Sequence, residues 1–329
     1  MALDDKLVRK KLEVLLKEES LVEAYLRTYG PRIDMTCIAR VKAGAQKAPA
    51  DGSGDGGGGG DKEDPTYQIK VKCPICSQNN IVCHELKAKS LTMAPDRFMA
   101  PRYQGVKGFR PLNYALFAVT VCPACLFASP DKRDFITFSV QTRSENKSQL
   151  GPFVLDELRQ KTEERKRLVA PVKDFAPYFN SPRSVEAAVH GYRLAVHRAL
   201  VEATLETPLA WYKAGMYGLR MAVLLRDSGK PDDAVLKESA DYLSKSFRNS
   251  ELKTPEMEYQ LLYVLSALYL RLGDQAQCQA FMGVLDKTKA ELSKREKEDP
   301  SVNTTHVEKW LEKAKDLWTD REQPDLWKH

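Results

Sequence analysis

The tetrapeptide Cys-Pro-X-Cys occurs twice, as Cys73-Pro74-Ile75-Cys76 and as Cys122-Pro123-Ala124-Cys125, 49 positions apart. Two cysteines separated by two residues can place both sulfurs on one face of a tight turn. Two such turns supply four thiolates, enough to close a tetrahedral zinc shell. Any fold of this chain must therefore bring these distant segments into contact. The spacing assigns Cys73, Cys76, Cys122 and Cys125 as ligands of one structural zinc ion. A shell closed by four cysteines has no open position for a water, so metal-based catalysis is not expected.

Other ligand types are sparse. Cys83 and His84 follow the first pair by seven and eight residues and can replace a thiolate or join a second metal. The competing reading makes Cys83 a small buried hydrophobe and His84 a surface residue. Cys37 and Cys278 stand alone and read as packing residues. His190 and His197 are seven apart on one helix, too far apart to share an ion without other ligands. Glu186 and Glu202 lie nearby, which leaves an acid–base role open against the plainer one of a polar helix face. No GxSxG, HExxH or phosphate-loop motif is present. The expectation is a protein that is not an enzyme.

The longest apolar run, Ala115 to Val121, is far too short to span a bilayer. The first twenty residues lack an apolar core and a small-residue cleavage site, unlike a secretory signal. Paired cysteines without a signal read as metal ligands in a reducing compartment, and the expected location is the cytoplasm. Between Pro65 and Leu150 twelve lysines and arginines face five acidic residues, a balance of +7 with neutral thiols. Four thiolates around one zinc reduce that to +5. Such a module suits an acidic partner or a nucleic acid.

Residues 1–41 carry one amphipathic helix, over 3–28, ended by Gly30-Pro31. Residues 42–64 are a glycine-rich flexible linker reaching on the order of 25 Å as a coil. Residues 65–150 form the zinc module. Strands are expected at Tyr67–Val71 and Phe117–Val121, each leading into a cysteine pair as in a zinc ribbon, and at Phe135–Val140. Ser90 to Pro111 is expected to be a long loop.

Residues 151–329 are helical. One helix spans Pro182 to Ala203. Thr207-Pro208 caps a second, which runs to Gly229. Lys230-Pro231-Asp232 and Thr254-Pro255-Glu256 open two more. Asp274, with Gln277 three residues on, caps a fifth. Val307, Trp310, Leu311, Ala314, Leu317 and Trp318 form an apolar stripe on the last. Leu272-Gly273 followed by alanine and Phe281, and a weaker copy from Met221 to Ala234, give a tetratricopeptide-like pattern without a strict 34-residue period. Stacked helix hairpins make a concave surface for a protein partner. Tyr192, Trp211, Tyr212, Tyr217 and Tyr263 either fill the core or line that groove.

A second function competes with the adaptor. Arg97, Arg102, Lys107 and Arg110 alternate with Phe98, Tyr103 and Phe109, a pattern that can stack bases and hold phosphates. The acidic residues Asp51, Asp55, Asp61, Glu63 and Asp64 oppose it, because they can fold back over the same patch.

The paired CPxC motifs bracket Arg97, Phe98, Tyr103, Asn113 and Tyr114, and Phe127-Ala128-Ser129 and a helical region follow. This arrangement, over roughly residues 65–295, resembles the bacterial domain-of-unknown-function family 2225. The resemblance implies a bacterial cytoplasmic protein with a zinc-binding N-terminal part, and it carries no activity. One departure stands out: relatives tend to have glycine where this chain has Leu126. A left-handed residue there costs a non-glycine about 1–2 kcal/mol, which leaves the second knuckle's geometry open. The fold class expected is α+β, mainly α: a zinc-ribbon-like β module, then a tetratricopeptide-like α-solenoid.

Overall fold

Each cysteine pair sits at the tip of an antiparallel hairpin in the computed structural model, which describes residues 62–139, 143–299, 301–323, 326 and 327. The helix expected over 3–28, Cys37 and most of the glycine-rich linker lie outside the described residues. Asp61–His329 forms one compact unit.

Strand β1 (Thr66–Val71) pairs with β2 (Ile81–Leu86), Val71 opposite Ile81, and the first CPxC turn lies between them. Strands β3 (Leu91–Pro95) and β4 (Pro101–Gly105) pair next, where the sequence predicted a loop. This ribbon is mostly exposed and ends in prolines, so it shows no alternation of apolar residues. Its turn is made by Asp96, whose carboxylate accepts from the amides of Phe98 and Ala100, both at 2.9 Å. Strand β5 (Thr120–Val121) pairs with β6 (Ala128–Ser129) around the second CPxC turn. The strand predicted from Phe117 is thus two residues long. Ahead of it Tyr114–Leu116 curls into a 3-10 turn capped by the Asn113 side chain. Strand β7 (Thr137–Ser139), within the predicted Phe135–Val140, pairs with β8 (Ser144–Asn146). Among the described residues the sheets are all two-stranded antiparallel pairs.

Helices follow: α1 (Pro152–Gln160), α2 (Thr162–Leu168), α3 (Phe175–Phe179), α4 (Val185–Thr204) and α5 (Ala210–Asp227). Four more follow among the described residues: α6 (Asp233–Arg248), α7 (Pro255–Arg271), α8 (Gln275–Glu298) and α9 (Thr305–Thr319). The protein is mainly helical. Caps read from the sequence recur in the structure: Thr254 Oγ1 accepts from the Met257 amide at 3.4 Å, and Asp274 Oδ1 from the Gln277 amide at 3.0 Å. The Thr207 cap does not. Helix α5 begins at Ala210 after Leu209, at φ 64°. The carboxylate of Glu251, forty residues away, accepts from the amides of Trp211 and Tyr212 at 3.4 and 3.1 Å.

Helix α4 is the hub. It packs against α1, α2, α3 and α5 and against strand β6. Residues on most of its circumference are buried, as befits an element covered on all sides. Three apolar clusters hold the unit together. The first joins Phe98 and Ala100 to α5–α9; the second joins Val119, Val121, Leu126 and Ala128 to α3–α5. The third wraps the cysteines with Phe127, Phe135, Leu158 of α1 and Val201 of α4. Tyr192, Tyr217 and Tyr263 belong to these cores, while Trp211 and Tyr212 are half-buried. On α9 the predicted stripe is buried from Val307 to Leu317, but Trp318 is only half-buried, under Arg321. No helix among the described residues is long and apolar enough to cross a membrane.

The α5–α6 contact depends on two glycines. A Cβ at Gly215 would lie 2.4 Å from Leu243 Cγ, and one at Gly218 would lie 2.2 Å from Ser239 Oγ. Gly218→Ala should therefore destabilise by about 1–3 kcal/mol in urea unfolding, as overpacking does, although alanine is the better helix former. Adding Ser239→Ala removes the clashing oxygen and should restore most of the loss; a double variant no better than the single one would refute the close-approach explanation.

Candidate metal centre

The two cysteine turns are built alike. In the first, the Cys73 amide donates to the Gln78 carbonyl at 2.9 Å and the Ser77 amide to the Cys73 carbonyl at 3.1 Å. In the second, the Cys122 amide donates to the Phe127 carbonyl and the Leu126 amide to the Cys122 carbonyl, both at 2.8 Å. This closure forces the fourth residue after the first cysteine into the left-handed region: Ser77 has φ 61° and Leu126 φ 59°. Leu126 therefore keeps the knuckle geometry without glycine. Its side chain is fully buried in the core against α4, and burying leucine contributes about 1.5–3 kcal/mol, enough to offset the left-handed cost of about 1–2 kcal/mol.

The two turns face each other. The Sγ atoms of Cys73 and Cys125 are 3.5 Å apart, as are those of Cys76 and Cys122, and all four sulfurs lie within 4.8 Å of one another. A tetrahedral ion with metal–sulfur bonds of about 2.3 Å needs sulfur–sulfur edges of about 3.8 Å, so the cluster has the size of a single-ion site. Thiols this close compete for protons. Hydrogen bonds from Cys122 and then Cys73 hold the Cys125 pKa well below the usual thiol range. The hydrogen bond to Cys125 pushes Cys122 up, and those to Cys122 and Cys125 push Cys73 up. A divalent cation held by Cys73, Cys76, Cys122 and Cys125 would replace those protons and let all four sulfurs bind as thiolates. Cys73, Cys122 and Cys125 are buried and Cys76 is exposed.

Around the sulfurs the polar groups are held by tertiary contacts. Ile75 donates its amide to Cys73 Sγ at 3.4 Å. Arg165 of α2 is fully buried and donates Nε to the Cys125 carbonyl at 2.9 Å. Next to β6, Asp134 accepts from Ser129 and Gln149 and forms a buried ion pair with Arg198 of α4. Arg198 also lies 3.3 Å from Glu202, which pairs with Lys213 of α5 at 2.6 Å. Nothing in the sequence marks Asp134, Arg165, Arg198 or Lys213; Glu202 entered it only as a neighbour of the two histidines.

Cys83 and His84 lie on β2 and take no part in the four-sulfur cluster. Cys83 is buried, as its packing reading expects. His84 is buried too, not at the surface: β2 is covered on both faces, and the His84 ring sits 4.9 Å from that of Phe117. Cys278 packs on α8 beside Met282. His190 bonds Tyr178 at 2.8 Å and His197 bonds Glu164 at 3.1 Å, so each tethers a neighbouring helix to α4. Glu186, also considered for an acid–base role, sits in the first turn of α4.

The four basic candidates are dispersed. Arg97 and Arg102 line one cavity of about 330 Å³ with Tyr263 and Lys313, whereas Arg110 lines another beside His84. Lys107 is exposed in the turn after β4. Arg102 is held by Asp227 at 2.8 Å and Arg110 by Asp64 at 2.6 Å. The acidic segment does fold back where it is described: Glu63 pairs with Lys87 at 2.6 Å and bridges to Phe109. Asp51, Asp55 and Asp61 lie outside the described residues.

Burial, and next the Arg183 charge, hold the His84 pKa below the ordinary histidine value. The unfolded chain takes up a proton near pH 6.5 that the folded chain resists. This contribution to stability is complete above that pH and is lost as the pH falls below it. His84→Gln should therefore flatten the decline of the urea midpoint between about pH 6.5 and 5; a slope identical to that of the unsubstituted chain would show that His84 titrates normally.

No curated protein matches this chain, and no solved structure does. Residues 66–318, which take in both cysteine turns and every helix through most of α9, match the model of DUF2225, described as an uncharacterized protein conserved in bacteria, and the chain belongs to that family.

Proposed function

We propose that this protein is a non-enzymatic, zinc-containing adaptor of the bacterial cytoplasm. One zinc ion on Cys73, Cys76, Cys122 and Cys125 locks two hairpins in a ribbon-like pair against α4, and the helices from α4 onward, tetratricopeptide-like in pattern, bind a protein partner. The observation that carries this reading is the four-sulfur cluster built into the same cores as the helices. Four soft donors at tetrahedral spacing suit zinc or a single iron, and they fill the shell, as in structural rather than catalytic sites. The centre's role is then to position the helical surface.

On that surface Trp211 stacks on Tyr242 with ring centroids 6.0 Å apart, and Lys245 caps Trp211 at 4.4 Å. Half-buried tryptophan and tyrosine are the residue types that dominate protein interfaces. The nucleic-acid alternative rests on Arg97 and Lys107, since Arg102 and Arg110 are committed to aspartates.

Metal analysis of the purified chain should find one zinc per molecule, absent from the Cys73→Ser, Cys122→Ser double variant. Binding free energy in such sites is on the order of 10–16 kcal/mol and is folding energy, so the double variant should melt far below the parent. A folded, metal-free parent chain would sink the zinc assignment.

The adaptor reading has its own test. Tagged protein purified from its bacterial host should carry a stoichiometric partner. Trp211→Ala with Tyr242→Ala should weaken that association at least about tenfold while zinc content stays constant. A turnover that His190→Ala or His197→Ala abolishes would replace the adaptor with an enzyme.

A further inference from the structure

Arg165 has the wrong surroundings for an ordinary structural arginine. It lies in the run Thr162-Glu163-Glu164-Arg165-Lys166-Arg167, which reads as a solvated helix face, yet it is the one buried residue of α2 and is fully enclosed. Its two glutamate neighbours turn away: Glu163 pairs with Lys166 at 2.8 Å, and Glu164 with Lys161 and His197 at 3.3 and 3.1 Å. The guanidinium instead meets neutral oxygens. Nε donates to the Cys125 carbonyl at 2.9 Å, Nη1 to the Leu158 carbonyl at 2.6 Å and Nη2 to Thr162 Oγ1 at 3.1 Å.

Among the described residues no carboxylate comes within ion-pair distance of it. A guanidinium does not deprotonate in proteins, and an uncompensated buried charge is destabilising. A negative group other than a carboxylate would offset it. The guanidinium is in direct contact with the cysteine centre, through the 2.9 Å hydrogen bond from Nε to the Cys125 carbonyl.

We infer that Arg165 is the built-in counter-charge of the cysteine centre, placed to balance the excess negative charge of four thiolates around one divalent cation. This rests on the metal-centre reading above and extends it to a residue outside the ligand set. Four thiolates and a doubly charged ion carry a net charge of two minus. One buried guanidinium halves that excess.

The same charge argues against two cross-turn disulfides. The paired sulfurs stand 3.5 Å apart, against about 2.05 Å in a disulfide. Two neutral disulfides would also leave Arg165 with no counter-charge. Arg165 is a positioning residue: it touches the Cys125 backbone and acts on the metal through the sulfurs.

The test is a zinc competition titration of the full-length chain against a chromophoric chelator at several pH values, with parent, Arg165→Met and Arg165→Lys. Arg165→Met should weaken zinc binding about 10–100-fold, the range for groups outside the ligand shell, and should move the pH midpoint of metal loading upward. Arg165→Lys, which keeps the charge and loses the fork, should stay within about tenfold of the parent. Equal affinities for parent and Arg165→Met would overturn the inference while leaving the zinc centre intact. Arg165→Lys falling as far as Arg165→Met would reduce the residue to its hydrogen bonds and overturn it as well. If Arg165→Met does not fold, Arg165→Lys decides alone: affinity within tenfold of the parent supports the counter-charge, and a larger loss overturns it. A parent chain that binds no zinc is a different failure, that of the metal centre itself.

Discussion

Arg198 is enclosed on the central helix with no water to turn to, and the arrangement of both halves follows from what surrounds it. Asp134 reaches it from the turn after β6, Glu202 from the next turn of α4, and the Tyr217 hydroxyl from α5, with Lys213 completing the charge balance on Glu202. Breaking a buried pair by removing one partner costs about 3–5 kcal/mol, because the other charge is left stranded. The hairpin region, α4 and α5 must therefore come together in one relative position, or not at all. Apolar clusters alone tolerate sliding. This ionic cluster resists it, because Arg198 must meet Asp134, Glu202 and the Tyr217 hydroxyl at once.

The sulfur cluster imposes a similar constraint a short way along the same helix assembly. Two segments 49 residues apart are held with sulfurs 3.5 Å apart, and their turns are closed by backbone hydrogen bonds that work equally with serine or leucine in the left-handed position. Two buried arginines thus differ in their partners. Arg198 is met by the carboxylates of Asp134 and Glu202, while Arg165 meets neutral oxygens, among them the Cys125 carbonyl.

Several elements were legible in the residues. The identical cysteine spacings named the four sulfurs, and Thr254 and Asp274 marked helix starts because their caps bond amides three residues on. The periodic apolar positions of α9 predicted its buried face up to Leu317. Each of these rests on contacts within one turn of the chain. The misreadings share the opposite property. Thr207-Pro208 looked like a cap, but Glu251 supplies the cap for α5 from forty residues away. The β3–β4 ribbon shows no alternation because little of it is buried, and His84 reads as a surface residue until β2 is covered on both faces.

What the sequence alone determined is the chemistry available: four cysteine sulfurs in two CPxC turns, a mainly helical second half, and the caps that start α7 and α8. What only the tertiary structure decided is which charges leave the water. Asp134, Arg165, Arg198 and Glu202 look in the sequence like any solvated charge, since a charged residue is buried only where a partner from elsewhere in the fold meets it. Local periodicity records what a residue does to its neighbours along the chain, whereas the burial of a charge depends on groups that only folding brings within reach.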